Sequence, residues 1–190
     1  MTTKREEAVP RRRLMRLRGC DYSQPGMYYV TICTARRALL LGKVENGEMW
    51  LNNAGHIVQR AWDELPAHYA GLETDAFVVM PNHVHGILVL HGAASESALV
   101  GAGLKPAPTR RHGLPEITRG FKTFSARRVN EQRKTSGPLW QRNYYEHVIR
   151  DGESLDRIRR YIAENPSRWA FDRENPRAVH LEPGDAWARP

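Results

Sequence analysis

Two consecutive apolar segments constrain the fold of this chain more than any other part of its sequence. Residues 76–80 (AFVVM) and 83–90 (HVHGILVL) are separated only by Pro81 and Asn82. Apolar segments of this length on either side of a turn dipeptide predict two adjacent buried strands. The whole stretch contains polar residues and is shorter than the about 20 apolar residues that a transmembrane helix needs. We therefore expect a central sheet and no membrane partner.

The elements around these strands follow a mixed α/β order. In chain order, they are a strand at 27–34, a small β-hairpin at 43–51, a helix at 53–65, the two central strands, a helix around 117–128, a strand at 144–149 and a helix at 151–165. Without the small hairpin and the last helix, this order is βαββαβ, the ferredoxin-like arrangement. The sequence therefore predicts an α+β fold, with an antiparallel sheet and helices packed mainly on one face.

Local signals support several of these elements. Asn46-Gly47 is a preferred pair for a two-residue hairpin turn. Asn53 and Asp151 are the predicted N-caps of the first and last helices. Phe121 and Phe124 are predicted to lie on the core face of the middle helix, because residues three apart share a helix face.

The length of 190 residues corresponds to about one domain at the usual ~100–200 residues per domain. We place that domain at 21–171, with a flexible linker inside it at 92–113. Residues 1–20 are predicted to be a flexible basic arm, and residues 172–190 a polar tail. The N-terminal residues lack the apolar segment of a secretory signal. Two cysteines are too few for a disulfide framework, so a cytoplasmic protein is expected.

The charge of the chain points to a polyanionic partner. The net charge is +8, with seven bases and two acids in residues 1–20 and nine bases and two acids in residues 105–134. Of the 29 bases, 24 are arginine, whose planar guanidinium suits bidentate phosphate contacts. Nucleic acid is the expected partner, although solvated surface charge would give the same composition. The candidate contacts are Arg11, Arg12, Arg13, Arg119, Lys122, Arg127 and Arg128.

Two histidines share one strand face. His83 and His85 are two residues apart, so their side chains point the same way. Paired imidazoles can begin a metal site, and simple packing is the alternative. On the last helix, Tyr161 and Asn165 are four residues apart and also share a face. A tyrosine can act as a nucleophile and an amide oxygen as a metal ligand, whereas packing and helix capping are the alternatives.

Three ordered segments carry a resemblance to a known family. They are residues 77–87 (FVVMPNHVHGI), 139–150 (LWQRNYYEHVIR) and 160–166 (RYIAENP), and residues 11–13 and 21–34 also match. Together they resemble the IS200-like single-tyrosine transposases, and more closely the REP-associated tyrosine transposases. The resemblance covers roughly residues 11–170.

The resemblance implies a histidine–hydrophobe–histidine endonuclease on a ferredoxin-like core. Such enzymes cleave and rejoin single-stranded DNA at a hairpin. By position, His83 and His85 would bind one divalent cation, Mg²⁺ or Mn²⁺, and Tyr161 would form a 5′-phosphotyrosine. Asn165 would be the third ligand, where some relatives carry glutamine.

Other interpretations remain open from sequence. The chain could bind DNA hairpins without cleaving them, as a ferredoxin-like nucleic-acid reader. Histidine-triad hydrolases carry a third histidine where this chain has Ile87, and a structural zinc site is disfavoured without nearby cysteines. Tyr144 and Tyr145 compete with Tyr161 as nucleophile, and His147 would share a strand face with Tyr145. A monomer and a homodimer are both compatible with the sequence.

Overall fold

The computed structural model describes residues 24–92 and 112–178. The strands are β1 (Gly26–Cys33), β2 (Gly42–Glu45), β3 (Glu48–Leu51), β4 (Leu72–Val79), β5 (His83–Leu90) and β6 (Tyr145–Ile149). The helices are α1 (Asn53–Asp63), α2 (Leu65–His68), α3 (Leu114–Arg133) and α4 (Gly152–Glu164), with short 3₁₀ turns at Ala35–Arg37 and Trp169–Phe171. None of the helices in these two ranges combines the length and apolar composition needed to cross a bilayer.

The main sheet confirms the predicted ferredoxin-like topology. Its strand order is β4-β5-β1-β6, and every neighbouring pair is antiparallel. The helices α1 and α3 supply the two crossover connections of the βαββαβ unit. β2 and β3 form the separate small hairpin, and Asn46 and Gly47 in its turn both have positive φ, 53° and 78°, as a primed two-residue turn requires.

The sheet carries a hydrophobic cluster on each face. β5 shows the division, because its side chains alternate between faces. Val84 and Leu88 join the larger cluster, which also contains residues of α1 and α3. Ile87 joins the smaller cluster, to which α4 contributes Ile158 and Ile162. The C-terminal helix therefore covers the face opposite to α1 and α3, the same face to which His83 and His85 belong.

Four details differ from the sequence prediction. Asn52, rather than Asn53, caps α1, because its side chain accepts the Gly55 N–H at 3.0 Å. β4 begins at Leu72 and contains a register shift between Thr74 and Phe77, a segment whose polar residues hid it from the apolar pattern. Phe124 is 38% exposed and stacks beside His68, which leaves Ser125 in the core position.

The fourth difference concerns the segment assigned to the polar tail. Asp172, Glu174 and Asn175 are buried, so the packed part of the chain continues beyond residue 171. The basic arm at 1–20, residues 93–111 of the linker and residues 179–190 of the tail lie outside the described residues.

Candidate metal and nucleophile site

The register of the central strands brings both histidines to one place. In the pairing of β5 with β1, His83 lies opposite Cys33 and His85 opposite Thr31. Both imidazoles are buried, and their Nε2 atoms are 3.0 Å apart. The strand period of two therefore produces a pair of converging ring nitrogens, as the sequence predicts.

A hydrogen-bond network orients the His83 ring. His83 Nδ1 lies 2.9 Å from Asn82 Oδ1. The Asn82 amide group donates to the carbonyl oxygens of Arg37 and Glu174, at 3.2 and 2.6 Å, so its Oδ1 is the acceptor that remains for the imidazole. His83 Nδ1 must then carry the proton, which leaves the Nε2 lone pair available to a cation.

His85 is held from its other ring nitrogen as well. His85 Nδ1 lies 2.7 Å from the Tyr29 hydroxyl and 2.9 Å from Thr31 Oγ1. Burial, with a further contribution from the neighbouring Tyr161, raises the pKa of Tyr29 well above its ordinary value. The Tyr29 phenol is therefore a neutral partner that anchors the ring and leaves Nε2 directed at His83.

Tyr161 reaches the same site from α4. Asp151 caps this helix as predicted, since its carboxylate accepts the Ser154 N–H at 2.7 Å. Ile158 and Ile162 are buried in the smaller cluster and fix the helix against the sheet. Tyr161 then lies half-buried, with its ring centroid 5.4 Å from that of His85 at an interplanar angle of 64°.

Asn165 occupies the C-cap position of α4, one turn beyond Tyr161. Its side chain is 2% exposed, and its Oδ1 has no hydrogen-bond donor within residues 24–92 and 112–178. A buried acceptor without a donor is costly. Such an atom has the chemistry expected of an oxygen ligand for a cation.

Asp172 is the site residue that sequence reasoning missed. Its Oδ2 lies 3.6 Å from His83 Nε2, and one ligand atom from each of His83, His85 and Asp172 fits within 4.8 Å. The 3₁₀ turn Trp169–Phe171 delivers it, and the Trp169 ring lies 6.0 Å from that of His83. The apolar triplet Trp-Ala-Phe directly before Asp172 was the available signal that the chain is still packed here.

The donor set fits a divalent cation. Two ligands in adjacent positions of an octahedral ion, each at about 2.1 Å, lie about 3.0 Å apart, and the two Nε2 atoms are 3.0 Å apart. Two imidazole nitrogens with a carboxylate oxygen form a mixed donor set that suits Mn²⁺ better than Mg²⁺. The buried group of His83, His85 and Asp172 could therefore bind a metal.

Of the competing tyrosines, Tyr145 begins β6 and Tyr144 directly precedes it, and the two lie on opposite sides of the sheet. Tyr145 pairs with Thr31 across β1, and its ring meets Tyr29 edge-on at 6.3 Å. Tyr144 packs against the larger cluster on the other face. His147 lies opposite Tyr29, and burial, together with Arg150, lowers its pKa. His147 is thus a neutral, half-buried neighbour of the site.

The basic residues predicted to bind DNA have different environments on α3. Arg119 and Arg127 are exposed, and the Arg127 guanidinium lies 5.9 Å from the centroid of the Phe124 ring. The Lys122 ammonium donates to the backbone carbonyls of Gln141 and Arg142, at 2.7 and 2.8 Å. Arg128 forms an ion pair with Glu64. The remaining candidates, Arg11, Arg12 and Arg13, lie outside the described residues.

Comparisons with known proteins agree with this architecture. No protein-family model matches the chain. A Haemophilus influenzae protein described as uncharacterized is 36% identical over 175 residues, which are 90% of this chain and 97% of the relative. A second protein from that organism, named as a REP-associated tyrosine transposase, is 28% identical over 151 residues, 80% of this chain and 76% of the relative.

The fold also has a counterpart among solved structures. A REP-associated tyrosine transposase bound to a REP hairpin matches with a TM-score of 0.53 and 18% sequence identity, over 86% of this chain and 74% of that one. At this identity the likeness concerns the fold. It confirms the antiparallel sheet with its helices that the sequence predicts.

Proposed function

We infer that the chain belongs to the REP-associated tyrosine transposase family, and we propose that it cleaves and rejoins single-stranded DNA at a hairpin through Tyr161. The observation that carries this proposal is the position of the Tyr161 ring, 5.4 Å from the ring of a buried histidine pair. The hairpin substrate is supported by the matching transposase structure, which is bound to a REP hairpin. Cleavage and rejoining would be one transesterification run in two directions.

His83, His85 and Asp172 would hold one divalent cation, Mg²⁺ or Mn²⁺, and the orphaned amide oxygen of Asn165 is the candidate fourth ligand. A cation bound there would neutralise charge on a scissile phosphate, which is the main requirement of phosphoryl transfer. Asn82 contacts Nδ1 of His83, and Tyr29 and Thr31 contact Nδ1 of His85. These contacts would orient both rings with Nε2 toward the cation.

Tyr161 would supply the nucleophile. Its phenol oxygen would form a bond to phosphorus and give its proton to water, and the bond from phosphorus to the 3′ oxygen would break. The departing 3′ oxygen takes up a proton and becomes a free 3′ hydroxyl. One phosphate ester replaces another, so a 3′ hydroxyl can reverse the reaction without ATP. The covalent product is a 5′-phosphotyrosine.

The test is formation of a protein–DNA adduct that survives a denaturing gel. The substrate is a single-stranded oligonucleotide with a hairpin and unpaired flanks, incubated with Mn²⁺ and with EDTA. We expect an adduct from the wild type only with the metal. Tyr161→Phe should form none, although it should retain hairpin binding because the ring still packs against the small cluster.

Tyr144→Phe is the matched control, since it removes the same atom on the other face of the sheet. It should form the adduct normally. Adduct formation by Tyr161→Phe, or undiminished adduct in EDTA, would overturn the proposal. Hairpin binding with no adduct from the wild type under any metal would instead identify a catalytically silent hairpin-binding protein.

A further inference from the structure

Arg159 and Tyr161 lie on opposite sides of the apolar face of α4. They are two residues apart, which is about 200° around the helix. Ile158 and Ile162, which pack into the smaller cluster, lie between them. Tyr161 approaches His85 of β5 from one side of this face, so Arg159 extends from the other side.

A bulge in β4 brings a carboxylate to the same face of the sheet. Asp75 and Ala76 lie in the register shift between Thr74 and Phe77, so the two residues oppose a single residue of β5. A bulge of this kind changes the direction of a side chain. Ala76 packs against the smaller cluster, and the Asp75 carboxylate accepts the Ala76 N–H at 2.5 Å. The carboxylate is thereby held in a fixed orientation below α4.

The contact between Arg159 and Asp75 is bidentate and joins α4 to the sheet. Arg159 Nε and Nη2 donate to the two carboxylate oxygens, at 3.0 and 2.6 Å. Two parallel bonds of this kind fix the direction of the guanidinium as well as its distance. Arg157 pairs instead with Glu153, one turn earlier in the same helix. That second ion pair therefore does not connect α4 to a strand.

The rotation of α4 about its own axis decides where the Tyr161 side chain lies. Apolar burial is non-directional, so the contacts of Ile158 and Ile162 with the sheet resist a small rotation only weakly. At the about 5–6 Å radius of a helix with its side chains, a rotation of about 10° moves the Tyr161 side chain by about 1 Å. A displacement of about 1 Å can slow a reaction about 100-fold. A bidentate contact on the other side of the helix opposes that rotation.

We propose that Asp75 and Arg159 are positioning residues, which fix the rotation of α4 and thereby hold Tyr161 beside the histidine pair. Both act through Tyr161 rather than on the substrate. The effect on the reaction rate rests on the proposed function. The effect on the place of the Tyr161 ring rests only on the contacts of α4 with the sheet.

The first measurement is the rate of adduct formation with Mn²⁺ and hairpin DNA, followed over a range of DNA concentrations. Asp75→Ala and Arg159→Ala should each lower the rate at saturating DNA by about 10–100-fold. Arg159→Lys keeps the charge but loses the bidentate geometry, so it should recover little of that rate. The double variant should be no slower than the slower single variant, because each substitution already removes the same contact.

The matched control is Glu153→Gln, which breaks the ion pair of Arg157 within α4. It should leave the rate at saturating DNA unchanged. If Glu153→Gln slowed the reaction as much as Asp75→Ala, a general weakening of α4 would be the cause and the inference would be wrong. A wild-type rate in Asp75→Ala would overturn it as well.

The second measurement needs neither DNA nor metal. In protein labelled with fluorotyrosine, the fluorine resonance of Tyr161 is the one that Tyr161→Phe removes. It should shift in Asp75→Ala, because the ring moves relative to the His85 ring, and should keep its position in Glu153→Gln. A Tyr161 resonance that does not move in Asp75→Ala would overturn the inference. If the wild type formed no adduct, the proposed function would fail, and this resonance would still decide whether the pair positions Tyr161.

Discussion

Gly86 of β5 packs against the stacked rings of Trp62 and Phe77, and an alanine there should be strongly destabilising. The Trp62 and Phe77 rings stack at 4.3 Å with an interplanar angle of 11°. A Cβ at Gly86 would lie 2.6 Å from Trp62 Cη2 and 2.9 Å from Phe77 Cδ2. Trp62 is 1% exposed and also meets Phe121 edge-on, so neither the strand nor the ring can move without disturbing the core.

The cost follows from overpacking. Inserting one methyl group into a well-packed core lowers the free energy of unfolding by about 1–3 kcal/mol. Because two rigid rings meet the new methyl group, we expect Gly86→Ala to cost about 3 kcal/mol. For a chain of this size each kcal/mol lowers the melting temperature by about 2–4 °C. We therefore expect the melting temperature to fall by about 6–12 °C.

Thermal unfolding followed by circular dichroism measures this shift. Gly152→Ala is the matched control, because a Cβ at Gly152 meets nothing within 4 Å, and its melting temperature should stay within about 2 °C of the wild type. In a Trp62→Phe background, which frees space beside Gly86, the added cost of Gly86→Ala should fall by about 1 kcal/mol or more. The packing account would be refuted if Gly86→Ala left the melting temperature unchanged. It would also be refuted if the effects of Trp62→Phe and Gly86→Ala on the free energy of unfolding were strictly additive.

Three further expectations concern the site and its supporting helix. Asp172→Asn removes the carboxylate charge beside His83 and should weaken Mn²⁺ binding, as measured by titration calorimetry. Equal Mn²⁺ affinity of the variant and the wild type would exclude Asp172 as a ligand. Asn82→Ala removes the acceptor of His83 Nδ1 and should weaken Mn²⁺ binding by about 10–100-fold, a loss that a purely structural asparagine would not cause in a folded variant. Asp75→Asn breaks the paired hydrogen bonds from Arg159, at 3.0 and 2.6 Å, and should cost up to about 1 kcal/mol at pH 7, because Arg159 is half-exposed.

The pH dependence of that last variant has a definite sign. Arg159 lowers the pKa of the Asp75 carboxyl below its ordinary value of 3.8. The stabilisation is therefore present above about pH 3.8 and is lost as the pH falls through the depressed pKa of the folded state. Unfolding in denaturant at pH 7 and below pH 3 should show the difference between wild type and Asp75→Asn shrinking in acid. A constant difference would mean that the ion pair is not its cause.

The parts of the site that sequence predicts are those that follow from local periodicity. The strand period of two places His83 and His85 on one face of β5. The helical period places Tyr161 and Asn165 on one face of α4. The order of elements predicts the strand order of the sheet, which in turn predicts that these faces can meet.

The parts that sequence does not predict depend on contacts distant along the chain. Asp172 reaches His83 only because the chain turns back after α4, 89 positions later in the numbering. Arg128 forms an ion pair with Glu64, and Lys122 donates hydrogen bonds to two carbonyls of the segment after α3. No pattern within α3 distinguishes these partnered cations from the exposed Arg119.

The central claim is that Tyr161 is the nucleophile, and peptide mapping of the protein–DNA adduct tests it most directly. Cleavage after arginine releases Tyr161 in the peptide 161–168 (YIAENPSR), whereas Tyr144 and Tyr145 leave together in the peptide 143–150 (NYYEHVIR). After nuclease trimming of the DNA, mass spectrometry should find a nucleotide linked through its 5′ phosphate on the peptide 161–168. A nucleotide on the peptide 143–150, with 161–168 unmodified, would contradict the account.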